Sequence, residues 1–196
     1  MKKGIIILVV LIALGAIIFS YFKGTYNSMV TKSEQVSSQW ANVESQYQRR
    51  ADLIPNLVNT VKGYATHENQ TLTDVMEARA KATQTTISFD QLNDQALAQY
   101  QQAQGELSSA LSRLMAVSEN YPDLKANQNF LDLQTQLEGT ENRIATERRR
   151  FNEVVQDYNV YIKSFPRNII AGMFGFTPKT FFAAQPGAET APQVQF

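Results

Sequence analysis

"VSSQWANVESQYQRRADLIPNLVNTVKGY", residues 36–64, decides the fold. Val36, Trp40, Val43, Tyr47, Ile54, Leu57, Val61 and Tyr64 recur at alternating steps of four and three, and Arg50 fills the remaining slot. Such spacing is the heptad seam of a long helix that lies lengthwise against another, as in a coiled coil. Two residues break its rule. Pro55 removes one backbone N–H and crowds the carbonyl of Ala51, at about 3 kcal/mol in an ordinary helix interior. Arg50 sets a permanent charge on the seam, whereas Arg49 points about 100° away from it.

Pro55 has two readings. It is a kink that lets a long helix wrap its partners. Alternatively it is a hinge, or it frees a carbonyl to act as an acceptor. Arg50 also has two. Its stem can carry the charge out to water. Alternatively it is buried against an acid on a facing helix, either Glu141 or Glu147, as a polar layer. Losing one partner of such a layer costs roughly 3–5 kcal/mol, and its best-attested use is to set register and partner choice.

Outward from this stretch the chain reads as helix upon helix. Glycine and proline are scarce after Lys23, while glutamine, alanine and leucine abound. The first helix of the body is predicted over Thr25–Ala65 and a second over His67–Thr83, with Thr66 as its cap. "TQTTISFD" (83–90) breaks the pattern, and Asp90 is placed to cap a third helix over Gln91–Glu119. Its stripe is Leu97, Tyr100, Gln104, Leu107, Leu111, Leu114 and Val117. Pro122 marks a turn, and a fourth helix is predicted over Leu124–Ser164 with Pro166 beyond its end. Its stripe runs from Phe130 through Leu137, Ile144, Phe151, Val154 and Tyr158 to Phe165. No stretch alternates with period two, so no sheet is expected.

At the other end, "MKKGIIILVVLIALGAIIFSYFKG" (1–24) is uncharged from Gly4 to Phe22. At 1.5 Å per residue this stretch reaches about 28 Å, close to the hydrocarbon thickness of a bilayer. A cleavable signal is the competing reading, with "ALGA" (13–16) as its site. Cutting there leaves "AIIFSYF" as an apolar new terminus, and the length favours an uncleaved anchor. Few breakers separate it from the first helix, with Gly24 as a possible hinge. Lys2 and Lys3 precede the span, which places the body on the extracytoplasmic side by the positive-inside rule.

Composition narrows function mostly by exclusion. Lys+Arg and Asp+Glu both total 18, which argues against a general nucleic-acid binder. Cysteine is absent, so disulfides and thiolate sites are excluded. The lone His67, followed by Glu68, lacks the second histidine of a zinc helix. Glu44, Asp52 and Glu141 are not placed as a catalytic pair by anything in the sequence. "ERRRF" (147–151) spreads Arg148, Arg149 and Arg150 around the helix, which reads as a solvated face with pairing to Glu153, or alternatively as a site for lipid phosphate or an anionic partner. No catalytic residue, cofactor or metal ligand is therefore assigned.

Three segments carry a resemblance. "QWANVESQYQRRADLIPNLVNTVKGYATHE" (39–68), "ENYPDLKANQNFLDLQTQLEGTENRIATERRRFNEVVQDYN" (119–159) and "FPRNIIAGMFGF" (165–176) resemble the signatures of LemA-family proteins. The resemblance implies a single-pass bacterial membrane protein with a helical bundle and carries no catalytic residues. Some members of the family are described with the bundle in the cytoplasm, opposite to the charge-based placement.

The expected protein is all-α: a single N-terminal transmembrane helix (1–24) followed by an elongated antiparallel bundle of long helices (25–165). An apolar C-terminal segment (166–183) and a flexible tail (184–196) follow. In that segment Ile169, Ile170, Met173, Phe174 and Phe176 need burial against the bundle, a neighbouring copy or the bilayer surface. Long rods expose flanks suited to lateral packing. The expected function is a non-enzymatic scaffold that self-assembles in the membrane as a homo-oligomer and organises membrane or docks partner proteins. The alternative is a monomeric tethered binding module or an adaptor for a membrane protease. Arg50 with Glu141 or Glu147 is expected to set register, and Pro55 curvature.

Overall fold

The structure, a computed structural model, describes residues 2–183; the expected tail over 184–196 lies outside the described residues. Among the described residues six helices follow in order: α1 Lys2–Lys62, α2 Asn69–Gln84, α3 Asp94–Ser118, α4 Pro122–Lys125, α5 Gln128–Lys163 and α6 Arg167–Phe174. A 3-10 turn, Phe89–Gln91, leads into α3. No strand occurs among the described residues.

α1 is the spine. It runs 61 residues without interruption, so anchor and first bundle helix are one element with no break at Gly24. Residues 5–19 expose their apolar side chains all round, which is the surface of a helix made for lipid rather than for a protein core. From Thr25 the buried face begins and continues through Met29, Val36, Trp40, Val43, Tyr47, Ile54, Leu57 and Val61. Tyr64, expected on this seam, is exposed, because the helix ends at Lys62 and buried Ala65 replaces it.

α5, 36 residues or about 54 Å long, lies antiparallel along that face. Lys32 pairs with Asp157, Gln39 bonds Glu147, Arg50 pairs with Glu141, and Asn127 donates to the Tyr64 hydroxyl. As numbers rise along α1 they fall along α5. α2 packs on both α1 and α3, and α6 bridges α1 and α5.

The caps explain where the boundaries fall. Asn93 accepts from Ala96 N (2.9 Å) and starts α3; Asn127 accepts from Phe130 N (3.1 Å) and starts α5. These two, rather than Asp90 and a continuous start at Leu124, satisfy the orphan N–H groups of the first turn. α2 begins at Asn69, two residues later than expected, and neither Thr66 nor Glu68 supplies a side-chain cap. Gly175 closes α6 at φ 75°, and Phe176 N bonds Ala171 O at 3.0 Å, the left-handed stop that glycine makes cheaply.

Two apolar cores divide the rod. The membrane-proximal one gathers Met29, Trp40, Tyr100, Phe151, Ile162 and Ile170 among others; the distal one gathers Ile54, Leu57, Leu107, Leu114, Leu124 and Phe130. Trp40 centres the first. Its ring lies 5.4 Å from Tyr100, 5.6 Å from Phe151 and 5.8 Å from Phe182, and its indole donates to Ile87 O at 3.3 Å. Each such aromatic pair adds about 0.5–1.5 kcal/mol beyond area burial.

After α6 the chain returns along α5 as an extended strap. Asn159 donates to Lys179 O and accepts from Lys179 N, both at 2.8 Å. Asn152 treats Phe182 the same way, at 3.1 and 2.8 Å. Seven residues separate the two asparagines, so both face the strap, and Phe182 is pinned into the core beside Trp40.

Candidate functional site

Between the two cores lies a polar layer, and Arg50 is its centre. On α1 it falls between Tyr47 of one core and Ile54 of the other; on α3 Gln104 falls between Tyr100 and Leu107; on α5 Thr140 and Glu141 fall between Leu137 and Ile144. One interruption on each seam thus meets the others at one level.

Arg50 is 1 % exposed. Its Nη1 donates to Glu141 Oε1 (2.6 Å) and Ser108 Oγ (2.7 Å); its Nη2 donates to Gln104 Oε1 (2.6 Å) and Gln104 O (3.2 Å). The Tyr47 ring covers the guanidinium at 5.2 Å. Gln104 Nε2 passes the connection on to Ala82 O at the end of α2 (3.3 Å). One side chain therefore ties α1, α3 and α5 directly and α2 through Gln104. A guanidinium suits this post because its planar fork presents several donors to several acceptors at once, which an ammonium cannot match.

The expected layer exists with Glu141, not Glu147, as the ionic partner. Glu147 lies nearly two turns further along α5, where Gln39 Nε2 donates to it at 2.6 Å and Arg150 pairs with it at 2.8 Å. Glu141 is 45 % exposed, so this is a half-solvated pair rather than a sealed one.

Pro55 acts one turn beyond. It sits within α1, and the carbonyl of Ala51 that it deprives of a donor accepts instead from Arg79 Nε of α2 at 2.7 Å. Of the readings open in the sequence, the freed acceptor is realised inside the fold, as a tie between α1 and α2.

The layer forms the floor of a groove of about 970 Å³ flanked by α3 and α5. Gln101, Gly105, Ser112 and Arg113 line one wall, and Glu141 and Arg148 the other. Arg50 Nε and Gln101 Nε2 are buried with no hydrogen-bond partner among the described residues. A second, smaller cleft of about 80 Å³ shares Tyr47 and Gln104 with the groove and is lined also by Tyr100, Glu44, Gln48, Thr83 and Thr86. Burial pushes the phenols of Tyr100 and Tyr47 above their ordinary range and raises the carboxyl of Glu44.

Chemically the groove is an ion-pairing and hydrogen-bonding surface. It brings together permanently charged arginines, amides and hydroxyls, with Ile144 and Tyr47 as apolar patches. Its serines bond backbone carbonyls of their own helix: Ser108 to Gln104 O and Ser112 to Ser108 O. The two acids that line the groove are each held by a cation, Glu106 by Lys81 and Glu141 by Arg50, whereas nucleophilic catalysis requires a base bonded to the hydroxyl. Among the described residues no group of three or more His, Asp or Glu is placed to hold a metal ion.

The remaining expected residues separate by face. Ile170 is buried in the membrane-proximal core, and Phe176 packs against it, so both are intramolecular contacts. Ile169, Met173 and Phe174 stay exposed, as does Phe165, which was expected on the α5 stripe but lies beyond its last turn. Gln104 was placed on the α3 stripe by its spacing, with no role assigned to it. The role of Arg79 left no signal, because its partner is a backbone atom.

Known proteins place this architecture. The LemA family profile matches residues 39–196. The chain is 30 % identical over 185 residues to the magnetosome protein MamQ 2 of Paramagnetospirillum magneticum, covering 84 % of this chain and 67 % of the relative. It is 29 % identical over 189 residues to MamQ of Magnetospirillum gryphiswaldense, covering 86 % and 70 %. It is 24 % identical over 170 residues to the protein LemA of Metamycoplasma hominis, covering 87 % and 74 %. With the signature helices, the Arg50 layer and the closing segment all inside the matched residues, the chain belongs to the LemA family.

Proposed function

We propose that this protein is a membrane-anchored, non-enzymatic scaffold whose rods assemble side by side into a homo-oligomer. The observation that carries the reading is the open groove between α3 and α5, which runs beside a rigid polar layer and exposes Gln102, Ser112, Arg113 and Glu141 along its walls. A lateral neighbour covers the groove and pairs those polar side chains at once. The unbroken α1 supports the same reading, because it holds every rod at a fixed angle to its own anchor. The magnetosome name of two relatives supports service in a cellular structure more than turnover of a substrate.

Gly105 provides the test. It lines the groove, and a Cβ built there meets nothing within 4 Å. Gly105→Trp therefore fills the groove without disturbing the core. Mass photometry of the full chain in nanodiscs or detergent is expected to show multiples of the 22.0 kDa protomer, reduced to single protomers by Gly105→Trp. Single protomers for the parent chain would discard the scaffold in favour of a monomeric tethered adaptor.

We further propose the extracytoplasmic side for the rod, on the strength of Lys2 and Lys3 before the span. Labelling of Gln128→Cys by an impermeant maleimide on intact cells checks it; protection until lysis reverses the placement.

A further inference from the structure

We propose that α6 is an interfacial helix, seated in the headgroup layer of the same bilayer that α1 crosses, with lipid covering Ile169, Met173 and Phe174. The inference rests on the anchor reading of residues 4–22 and settles what meets the exposed face of the closing segment.

Position along α1 is the first support. Phe22, the last residue of the uncharged stretch, packs against the membrane-proximal core, so no linker separates bundle from anchor. Tyr26 lies one turn beyond, about 6 Å along the axis. Its ring meets Phe174 edge-on at 4.8 Å and Phe176 at 5.7 Å. The polar layer of one leaflet is about 5–7 Å deep beyond the hydrocarbon. When α1 spans the bilayer, Tyr26 and the helix packed on it stand in that layer.

The face of α6 is the second. Ile170 and Ala171 turn into the bundle, while Ile169 and Met173, one turn apart, share an uncovered flank and are 53 % and 65 % exposed. Asn168 and Gly172 hold the remaining side. The apolar arc is wider than the bundle covers, and the excess is continuous with the lipid-facing surface of α1 through Phe174, Tyr26 and Phe22. Phe165 adds to it, 82 % exposed at the end of α5.

The surrounding charges are the third. Lys163 closes α5, and Arg167 opens α6 with its guanidinium 4.2 Å over the Tyr161 ring. With Lys23 they put cations and tyrosines at headgroup level, where basic and amphipathic aromatic side chains are favoured. A neighbouring copy as occupant has no comparable continuity with a lipid surface.

Because the chain has no cysteine, single-cysteine variants need no background removal. Met173→Cys, Ile12→Cys and Gln128→Cys, each in the full chain, are spin-labelled and reconstituted into phosphatidylcholine–phosphatidylglycerol vesicles. Collision rates with oxygen and with a water-soluble nickel chelate are then measured. The expected result is oxygen-dominated collision at 12, a shallower but still oxygen-favoured ratio at 173, and nickel-dominated collision at 128. Nickel dominance at 173 with lipid at 12 overturns the interfacial helix and leaves the anchor standing. Protection from both colliders at 173, with dipolar broadening between labels, also overturns it and assigns the face to a second copy. Nickel dominance at 12 removes the anchor reading, and the inference falls with it.

Discussion

Arg79 donates through Nε to the carbonyl oxygen of Ala51 at 2.7 Å, and Ala51 is the residue whose helical donor Pro55 deletes. A defect in one helix is therefore the acceptor for its neighbour. Arg79→Met is expected to lower stability by about 1–3 kcal/mol, the cost of stranding a buried carbonyl. In a Pro55→Ala background the same change costs less, because residue 55 again supplies an N–H. Chemical denaturation of the detergent-solubilised chain gives the four values of this cycle; equal losses in both backgrounds would show that the two residues act independently.

Arg50 is the residue whose loss is felt most widely. Arg50→Met leaves Gln104, Ser108 and Glu141 without their donor and is expected to cost roughly 3–5 kcal/mol. Glu141→Leu added to it recovers part of that loss, whereas Glu147→Leu recovers none, since Glu147 bonds Gln39 and Arg150. Glu141→Gln alone costs no more than about 1 kcal/mol, because the carboxylate is half in water. Thermal melts of the four variants separate the pairings.

Glu44 sets a small pH dependence. Burial raises its carboxyl above the ordinary 4.5, so the folded state prefers the protonated form. Its contribution to stability is present below that ordinary value and is lost as pH rises through the raised one. Glu44→Gln is expected to raise Tm at pH 7 and to leave it unchanged at pH 4. A gain of equal size at both pH values would place the cause elsewhere.

Gly175 tests the end of α6. Its φ of 75° is left-handed, and a Cβ there meets nothing within 4 Å, so a substitution suffers from backbone conformation alone. Gly175→Ala is expected to cost about 1–2 kcal/mol and Gly175→Asn distinctly less, because asparagine tolerates this region. Calorimetry of both variants makes the comparison.

Much of this architecture was legible in the residues. The alternating steps of four and three from Val36 to Val61 foretold the buried face of α1, and only Tyr64 fell off it, where the helix stops. Periodicity could place Arg50 and Gln104 on their seams as polar intruders. It could not choose between Glu141 and Glu147, because that choice depends on the axial stagger of α5 against α1, which Asn127 and the short α4 turn determine. Arg79 fell on a marked position of the second helix, but its partner was hidden for a different reason: a backbone acceptor has no sequence letter. The strap held by Asn152 and Asn159 was missed likewise, since its bonds run from side chain to main chain. The segment around Ile169 looked greasy and unplaced; that it forms a helix turned half inward needed the α1–α5 corner to be seen.

The unbroken α1 makes the rod a lever with its fulcrum in the bilayer. About 40 residues lie beyond Lys23, roughly 60 Å of helix. Transmembrane helices lean further as the hydrocarbon thins, and a change of about 10° in lean would swing the far tip by about 10 Å. Spacing between distal tips would then be geared to bilayer thickness, with the membrane itself supplying the stroke.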